Sequence, residues 1–320
     1  LSIVAEFAAE LHRADARNHA RELHPLSYPS PSEIVRDVRV LIFDVYGTLF
    51  NYWKNEFGDK ATKKQALLNS FKSTIDYFGI EPYLLDMDKE HPAENTLWDL
   101  YHGLITLKQN LLIEKDINYP EVRIDEVWTA ILLMLKRHGY TYSGKDLGPD
   151  SELVRCIAFY YNFHAFNRGL YPGVTNALVA FKQKNMRLGI LSNAQFYTSI
   201  DLTLFLRDQS NNAIEDLGEL FEHDLMYYSY EYSMAKPSQA LFRKLFDALY
   251  EFQVLPSQTV FVGNDLAADI KPAQDAGMKT ALYVGDDKSA FLNGLRSAVI
   301  PDITFSTWNE LTERVSFYEK

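Results

Sequence analysis

Apolar positions along the chain follow two patterns. Val38, Val40, Leu41, Ile42 and Phe43 form a short, nearly continuous run that stops at Asp44. Such a run predicts a strand buried on both faces, as in a parallel sheet. Leu188 to Leu191, Leu225 to Tyr228, Thr259 to Val262 and Thr280 to Val284 repeat the pattern. Between these runs the spacing turns helical. Val174, Ala177, Leu178 and Phe181 fall at i, i+3, i+4 and i+7, and Leu241, Leu245 and Leu249 share a face. Pro172–Gly173 marks a helix start and Gly277 a helix end. Strands alternating with helices predict a doubly wound α/β domain with helices on both faces of a parallel sheet.

From about residue 54 to 168 the strands disappear. Leu67, Leu68, Phe71, Ile75 and Phe78 trace a helical stripe that Gly79 can end. Leu97, Leu100, Tyr101, Leu104, Leu107 and Leu111 trace a second stripe. Val127, Trp128, Ile131 and Leu135 make a third, and Leu153, Cys156, Ile157 and Tyr160 a fourth with Ser151 as its cap. Residues 54–168 therefore read as a helical cap inserted into an α/β core of 37–53 and 169–320. Residues 1–36 read as a helical N-terminal extension, with Ile3, Val4, Phe7 and Leu11 at helical spacing and Pro25, Pro29 and Pro31 breaking it. This extension is expected to lie on the body of the protein, with a homodimer contact as the alternative.

The charge balance narrows the function. The 320 residues carry 32 basic and 43 acidic side chains, a net charge of −11, which argues against general nucleic-acid binding or docking on an anionic membrane. Cys156 is the only cysteine, so no internal disulfide is expected. No apolar run is long enough for a membrane span, and Glu6, Glu10, His12, Arg13 and Asp15 interrupt the N-terminal stretch. A cytoplasmic protein acting on a small anionic molecule is the expectation.

Open α/β sheets bind ligands at the carboxyl ends of their strands. Asp44, Ser192–Asn193 and Asp265 stand at such ends here, with Lys236 just beyond another. Carboxylates, a hydroxyl and an ammonium in one crevice suit phosphoryl transfer, where a carboxylate attacks and cations neutralise the transferring oxygens. Phe43-Asp44-Val45-Tyr46-Gly47-Thr48-Leu49-Phe50 resembles the first motif of the haloacid dehalogenase superfamily. Leu191-Ser192-Asn193-Ala194, Lys236-Pro237 and Val262-Gly263-Asn264-Asp265 through Asp269 resemble the other three, in order. The resemblance covers 37–52 and 170–307 and implies a Rossmann-like core. It implies that Asp44 is the covalent nucleophile. Ser192 and the Asn193 amide would hold substrate oxygens, with Thr48 beside them, and Lys236 would orient Asp44. By the same resemblance, Asp44, the Tyr46 carbonyl, Asp265 and Asp269 would form the surroundings of a Mg²⁺ ion.

One position departs from the phosphatase pattern. The superfamily's phosphatases carry a second Asp two residues after the nucleophile, as acid and base; here it is Tyr46. A phenol with a pKa near 10 cannot replace a carboxylate base. Tyr46 resembles the metal-independent 2-haloacid dehalogenases, whose halide leaves without a proton. Those enzymes also use a cap arginine, and none lies between Arg39 and Arg123; they have an uncharged polar residue where Asp265 is read here. Three readings stay open: a Mg²⁺-dependent phosphatase-type hydrolase, taken first because of Asp265, a 2-haloacid dehalogenase, and a catalytically idle binding or regulatory protein. Asn51, Tyr52, Trp53 and Lys54 are candidates to face the substrate.

Overall fold

The computed structural model describes residues 2–17, 22–31, 33–51, 60–292, 294 and 298–317. The chain divides into two units, one of Leu1–Arg17 with Asn55–Asn167, the other of Asn18–Lys54 with Arg168–Lys320. Tyr52, Trp53 and Lys54 lie outside the described residues.

The first unit is helical. It contains α1 (Ile3–Ala14), α2 (Lys60–Phe78), α3 (Glu81–Met87), α4 (Ala93–Ile113), α5 (Ile124–Arg137) and α6 (Asp150–Ala165). The stripes of α2, α5 and α6 meet in its core, where the Phe71 and Tyr161 rings stack 4.2 Å apart beside buried Trp128. Gly79, at φ +65°, follows the last residue of α2 in the left-handed conformation that suits glycine. Only the first half of the α4 stripe is buried. Leu97 and Tyr101 face the core, whereas Leu107 and Leu111 are exposed. Ser151 lies inside α6 rather than at its cap, which Pro149 occupies. A proline with fixed φ suits the edge of a helix, and the helix starts two residues earlier than a Ser151 cap predicts.

The helix read over the N-terminal segment is shorter than its pattern. It ends at Ala14, where the Arg17 guanidinium pairs with Asp15 and donates to the Phe163 carbonyl. Val4, Phe7 and Ala8 bury the inner face of α1 against α6, and Glu152 accepts from the Val4 N–H at its first turn. Residues 22–31, with their three prolines, form no helix and belong to the second unit. There Leu26 N–H donates to the Val284 carbonyl and the Tyr28 hydroxyl to the Val299 carbonyl.

The second unit is the sheet. Its elements are β1 (Val35–Val38), β2 (Val40–Phe43), α7 (Val174–Gln183), β3 (Arg187–Ser192), α8 (Tyr197–Gln209), β4 (Phe221–Tyr228), α9 (Ser229–Tyr232), α10 (Gln239–Glu251), β5 (Thr259–Gly263), α11 (Lys271–Asp275), β6 (Lys279–Tyr283), β7 (Ile303–Phe305), α12 (Trp308–Arg314) and β8 (Val315–Phe317). Six parallel strands run in the order β4-β3-β2-β5-β6-β7, and β1 pairs with β8 apart from them. The sheet is doubly wound, and the chain is an α/β core with an inserted helical cap. All four residues of β2 are fully buried, which its uninterrupted apolar sequence requires of a central strand. The winding reverses between β3 and β5 on either side of β2, so the ligand crevice of such a sheet opens beyond the carboxyl end of β2. Phe43 is level with Ile190 on one side and Val262 on the other, which brings the residues after all three strands to one edge. Among the described residues, no helix is long and apolar enough to cross a membrane.

Candidate active site

Asp44 is the first residue beyond β2, and its N–H still donates to the Val262 carbonyl of β5. Its carboxylate is nearly buried, and its two oxygens differ. Oδ1 accepts from the Ser192 hydroxyl at 2.9 Å and from the Lys236 ammonium at 2.6 Å. Among the described residues, Oδ2 has only the Thr48 hydroxyl as a hydrogen-bond partner, at 3.5 Å, which is too long for a strong bond. One oxygen is firmly anchored and the other is held loosely.

The turn after Asp44 explains Gly47 and Thr48. The Val45 carbonyl accepts from the N–H groups of Thr48, Leu49 and Phe50, folding the chain back on itself. Gly47 sits at φ +87°, where a side chain is strained, and a Cβ there would lie 2.2 Å from Nδ2 of Asn264. Thr48 is fully buried and donates to Oδ1 of Asn264 at 3.0 Å.

Lys236 is held from both ends. The Asn193 side chain clamps its backbone, with the Lys236 N–H donating to Asn193 Oδ1 at 2.6 Å and Asn193 Nδ2 donating to the Lys236 carbonyl at 3.2 Å. Its ammonium lies between Asp44 and Asp269, 2.6 Å from an oxygen of each. Burial alone would lower the pKa of this ammonium; Asp269 and then Asp44 outweigh it and hold the group above its ordinary value. Burial pushes the Asp269 carboxyl up to about 6, against the pull of Lys236. The other Asp269 oxygen accepts from the N–H groups of Asn264 and Asp265.

Asp265 takes a different place. Its Oδ1 accepts from the N–H groups of Ala267 and Ala268, capping the turn of helix that leads into α11. Among the described residues, no group of three or more His, Cys, Asp or Glu side chains is arranged to hold a metal ion. The structure thus brings Asp44, Thr48, Ser192, Lys236 and Asp269 together, with Asn193 behind Lys236. Asp265 and Asp269, expected as metal ligands, are engaged in a helix cap and in an ion pair.

A family model for haloacid dehalogenase-like hydrolases matches residues 38–277. The chain belongs to this family. The match takes in the Asp44 turn, the Ser192 strand end, Lys236 and the Asn264–Asp269 segment. The glyceraldehyde 3-phosphate phosphatase of Pyrococcus furiosus is 26% identical over 172 residues, 51% of this chain and 65% of that protein, so less than two thirds of that relative is spanned. The enzyme of the same name from Methanothermobacter thermautotrophicus is 28% identical over 175 residues, 52% of this chain and 71% of that protein. A crystal structure of a 2-haloacid dehalogenase from Pseudomonas syringae pv. Tomato has a TM-score of 0.50 at 19% identity, covering 86% of this chain and 97% of that one. At that identity it shows the shared fold alone.

Two features of the site escape the sequence motifs. Asn264, not Asp265, is the residue after β5 that reaches Thr48 and lies against Gly47. The Tyr46 hydroxyl, in place of a second acid, pairs with the Thr198 hydroxyl at 2.9 Å. Close to it runs a buried ion pair of Arg168, at the start of the returning core, with Asp201 of α8. Burial opposes the Arg168 charge, but Asp201 and then neighbouring Tyr46 hold its pKa above the usual value. Thirty-three positions separate the pair in sequence, and no local spacing signals it.

Proposed function

We propose that this hydrolase cleaves a small phosphorylated compound through a covalent intermediate on Asp44. The unequal anchoring of the Asp44 carboxylate carries the reading: Lys236 and Ser192 hold Oδ1, and Oδ2 is left as the attacking atom. In the first step Oδ2 bonds to phosphorus, and the bond to the leaving oxygen breaks with its electron pair. The Asn193 backbone N–H and the Lys236 ammonium stabilise the transferring oxygens, while the Ser192 hydroxyl keeps its hydrogen bond to Asp44 Oδ1. In the second step water attacks the same phosphorus, which releases phosphate and restores Asp44. Tyr46 supplies no carboxylate acid, so the preferred substrate is one whose leaving oxygen needs little protonation. The names of the two curated relatives bring a three-carbon sugar phosphate into the panel as the contrasting case, since its alkoxide leaving group needs a proton that no carboxylic acid at position 46 supplies.

The cofactor proposed with this reaction is Mg²⁺. The groups around Asp44 Oδ2 are oxygen donors, which suits a hard cation. The Asp44 carboxylate and the Tyr46 backbone carbonyl would hold it, and it would neutralise charge on the transferring oxygens when bound. The test is phosphate release from a panel of phosphate esters and acyl phosphates with Mg²⁺ present. Asp44→Asn is expected to lower turnover by at least about a thousandfold. A variant as active as the parent, or a parent that releases no phosphate, ends the reading.

Tyr46 and the uncharged Asn264 favour one second reading, a 2-haloacid dehalogenase. It requires halide release from 2-chloropropionate in excess chelator, and is discarded if none is released.

A further inference from the structure

The Asn264 side chain is 2% exposed, and both its amide oxygen and its amide nitrogen are hydrogen-bonded. Its Oδ1 accepts from Thr48, and its Nδ2 donates to the Ser289 carbonyl at 2.5 Å. Its N–H donates to Asp269, and its own carbonyl accepts from the Phe291 N–H. A carbonyl can only accept, so Ser289 demands a donor at this position and fixes which way the amide points. Ser289 has little room to retreat. Its hydroxyl and that of Tyr171 both reach Asp286 Oδ2, at 3.0 and 2.6 Å, and the Leu266 N–H donates to the Phe291 carbonyl. A carboxylate at 264 would set an oxygen against the Ser289 oxygen. The loop around 286–291 is built for an amide.

This has a consequence for charge. The Thr48 hydroxyl donates to Asn264 Oδ1 at 3.0 Å and lies 3.5 Å from Asp44 Oδ2, so Asn264 and Asp44 flank one side chain, and a second carboxylate at 264 would join Asp44 around a cation. We propose that Asn264 is the residue that sets metal affinity in this site: with its neutral amide locked there, the free protein binds Mg²⁺ weakly and takes it up together with the anionic substrate. Mg²⁺ commonly combines one or two carboxylates with substrate phosphate oxygens, so a site with one carboxylate leans on the substrate for the rest. The inference rests on the phosphatase reading only through the shared site, and its test measures binding rather than turnover.

The experiment titrates the full chain with Mn²⁺, followed by its electron paramagnetic resonance signal, with and without inorganic phosphate. The parent is expected to bind Mn²⁺ alone in the millimolar range and about tenfold more tightly with phosphate. By reciprocity, phosphate affinity then rises by the same factor with Mn²⁺. Asn264→Asp is expected to bind Mn²⁺ alone at least about tenfold more tightly. In chelator it melts below the parent, and Mg²⁺ restores it, because the ion relieves the contact of the new carboxylate with Ser289. Asn264→Ser removes the amide without adding charge and is expected to gain no affinity. Micromolar Mn²⁺ binding by the parent without phosphate overturns the proposal even if Asn264→Asp fails to fold. An Asn264→Asp protein with parental affinity and melting behaviour overturns it as well.

Discussion

Replacing Lys236 by Met tests whether its ammonium is what lets two carboxylates share a buried site. Methionine keeps most of the aliphatic stem and removes only the charge. Lys236 is 2.6 Å from both Asp44 and Asp269, and all three side chains are almost fully buried. Removing one partner of such a cluster costs about 3–5 kcal/mol, because the remaining charge is left without compensation. The folded protein can escape part of that cost by taking up a proton. Asp269 already has its pKa pushed up to about 6 by burial while Lys236 pulls it down; without Lys236 it rises further.

The sign follows from where the proton is held more tightly. The folded-state pKa of Asp269 lies above its unfolded value of 3.8, so its contribution to stability is fully present below pH 3.8 and lost as pH rises through about 6. In Lys236→Met the loss continues to higher pH, at up to about 1.4 kcal/mol per pH unit for one proton. The deficit relative to the parent is therefore expected to be about 3–5 kcal/mol at pH 8 and to shrink by up to about 3 kcal/mol at pH 6. Urea unfolding at both pH values, in metal-free buffer, measures it. Adding Asp269→Asn to the same chain is expected to recover more than half of the pH 8 deficit. A deficit below about 1 kcal/mol at pH 8, or one that is equal at the two pH values, refutes the reasoning.

Asp201→Asn leaves the Arg168 guanidinium buried without its carboxylate and is expected to cost about 3–5 kcal/mol in urea unfolding, whereas Asp201→Leu with Arg168→Met is expected to cost far less. Equal losses in the two would show that the charges are not the cause. Gly47→Ala forces a side chain into φ +87°, at about 1–3 kcal/mol, and drives a methyl into the Asn264 amide. It is expected to lower both melting temperature and turnover, and an unchanged melting temperature would count against the tight turn described here.

Much of the fold was legible because burial leaves a periodic mark. Val40 to Phe43 reads as a central strand since a strand covered on both faces has no position for a polar residue. The stripes of α2 and α5 read as helices since one face must be apolar. The mark fades where elements are short or run past their neighbours. Among the described residues, β7 and β8 have three residues each, too few to show a period, and were not anticipated. Leu107 and Leu111 continue the α4 period with the core no longer beneath them.

The site divides in the same way. Asp44, Ser192 and Lys236 lie at strand ends or just beyond, where topology determines which residues meet. Asn264 and Asp265 pose a different question, because both follow β5 and only the direction of each side chain separates their roles. Successive residues of extended backbone send side chains to opposite sides. Asp265 is still extended, at φ −116° and ψ 118°, so when Asn264 turns toward Thr48 its neighbour turns to the helix N–H groups. Composition favours the charged residue as the functional one, and the backbone gives the inward position to the neutral one. In the proposed reaction, the charge beside Asp44, and with it the demand for a metal, depends on that one-residue difference.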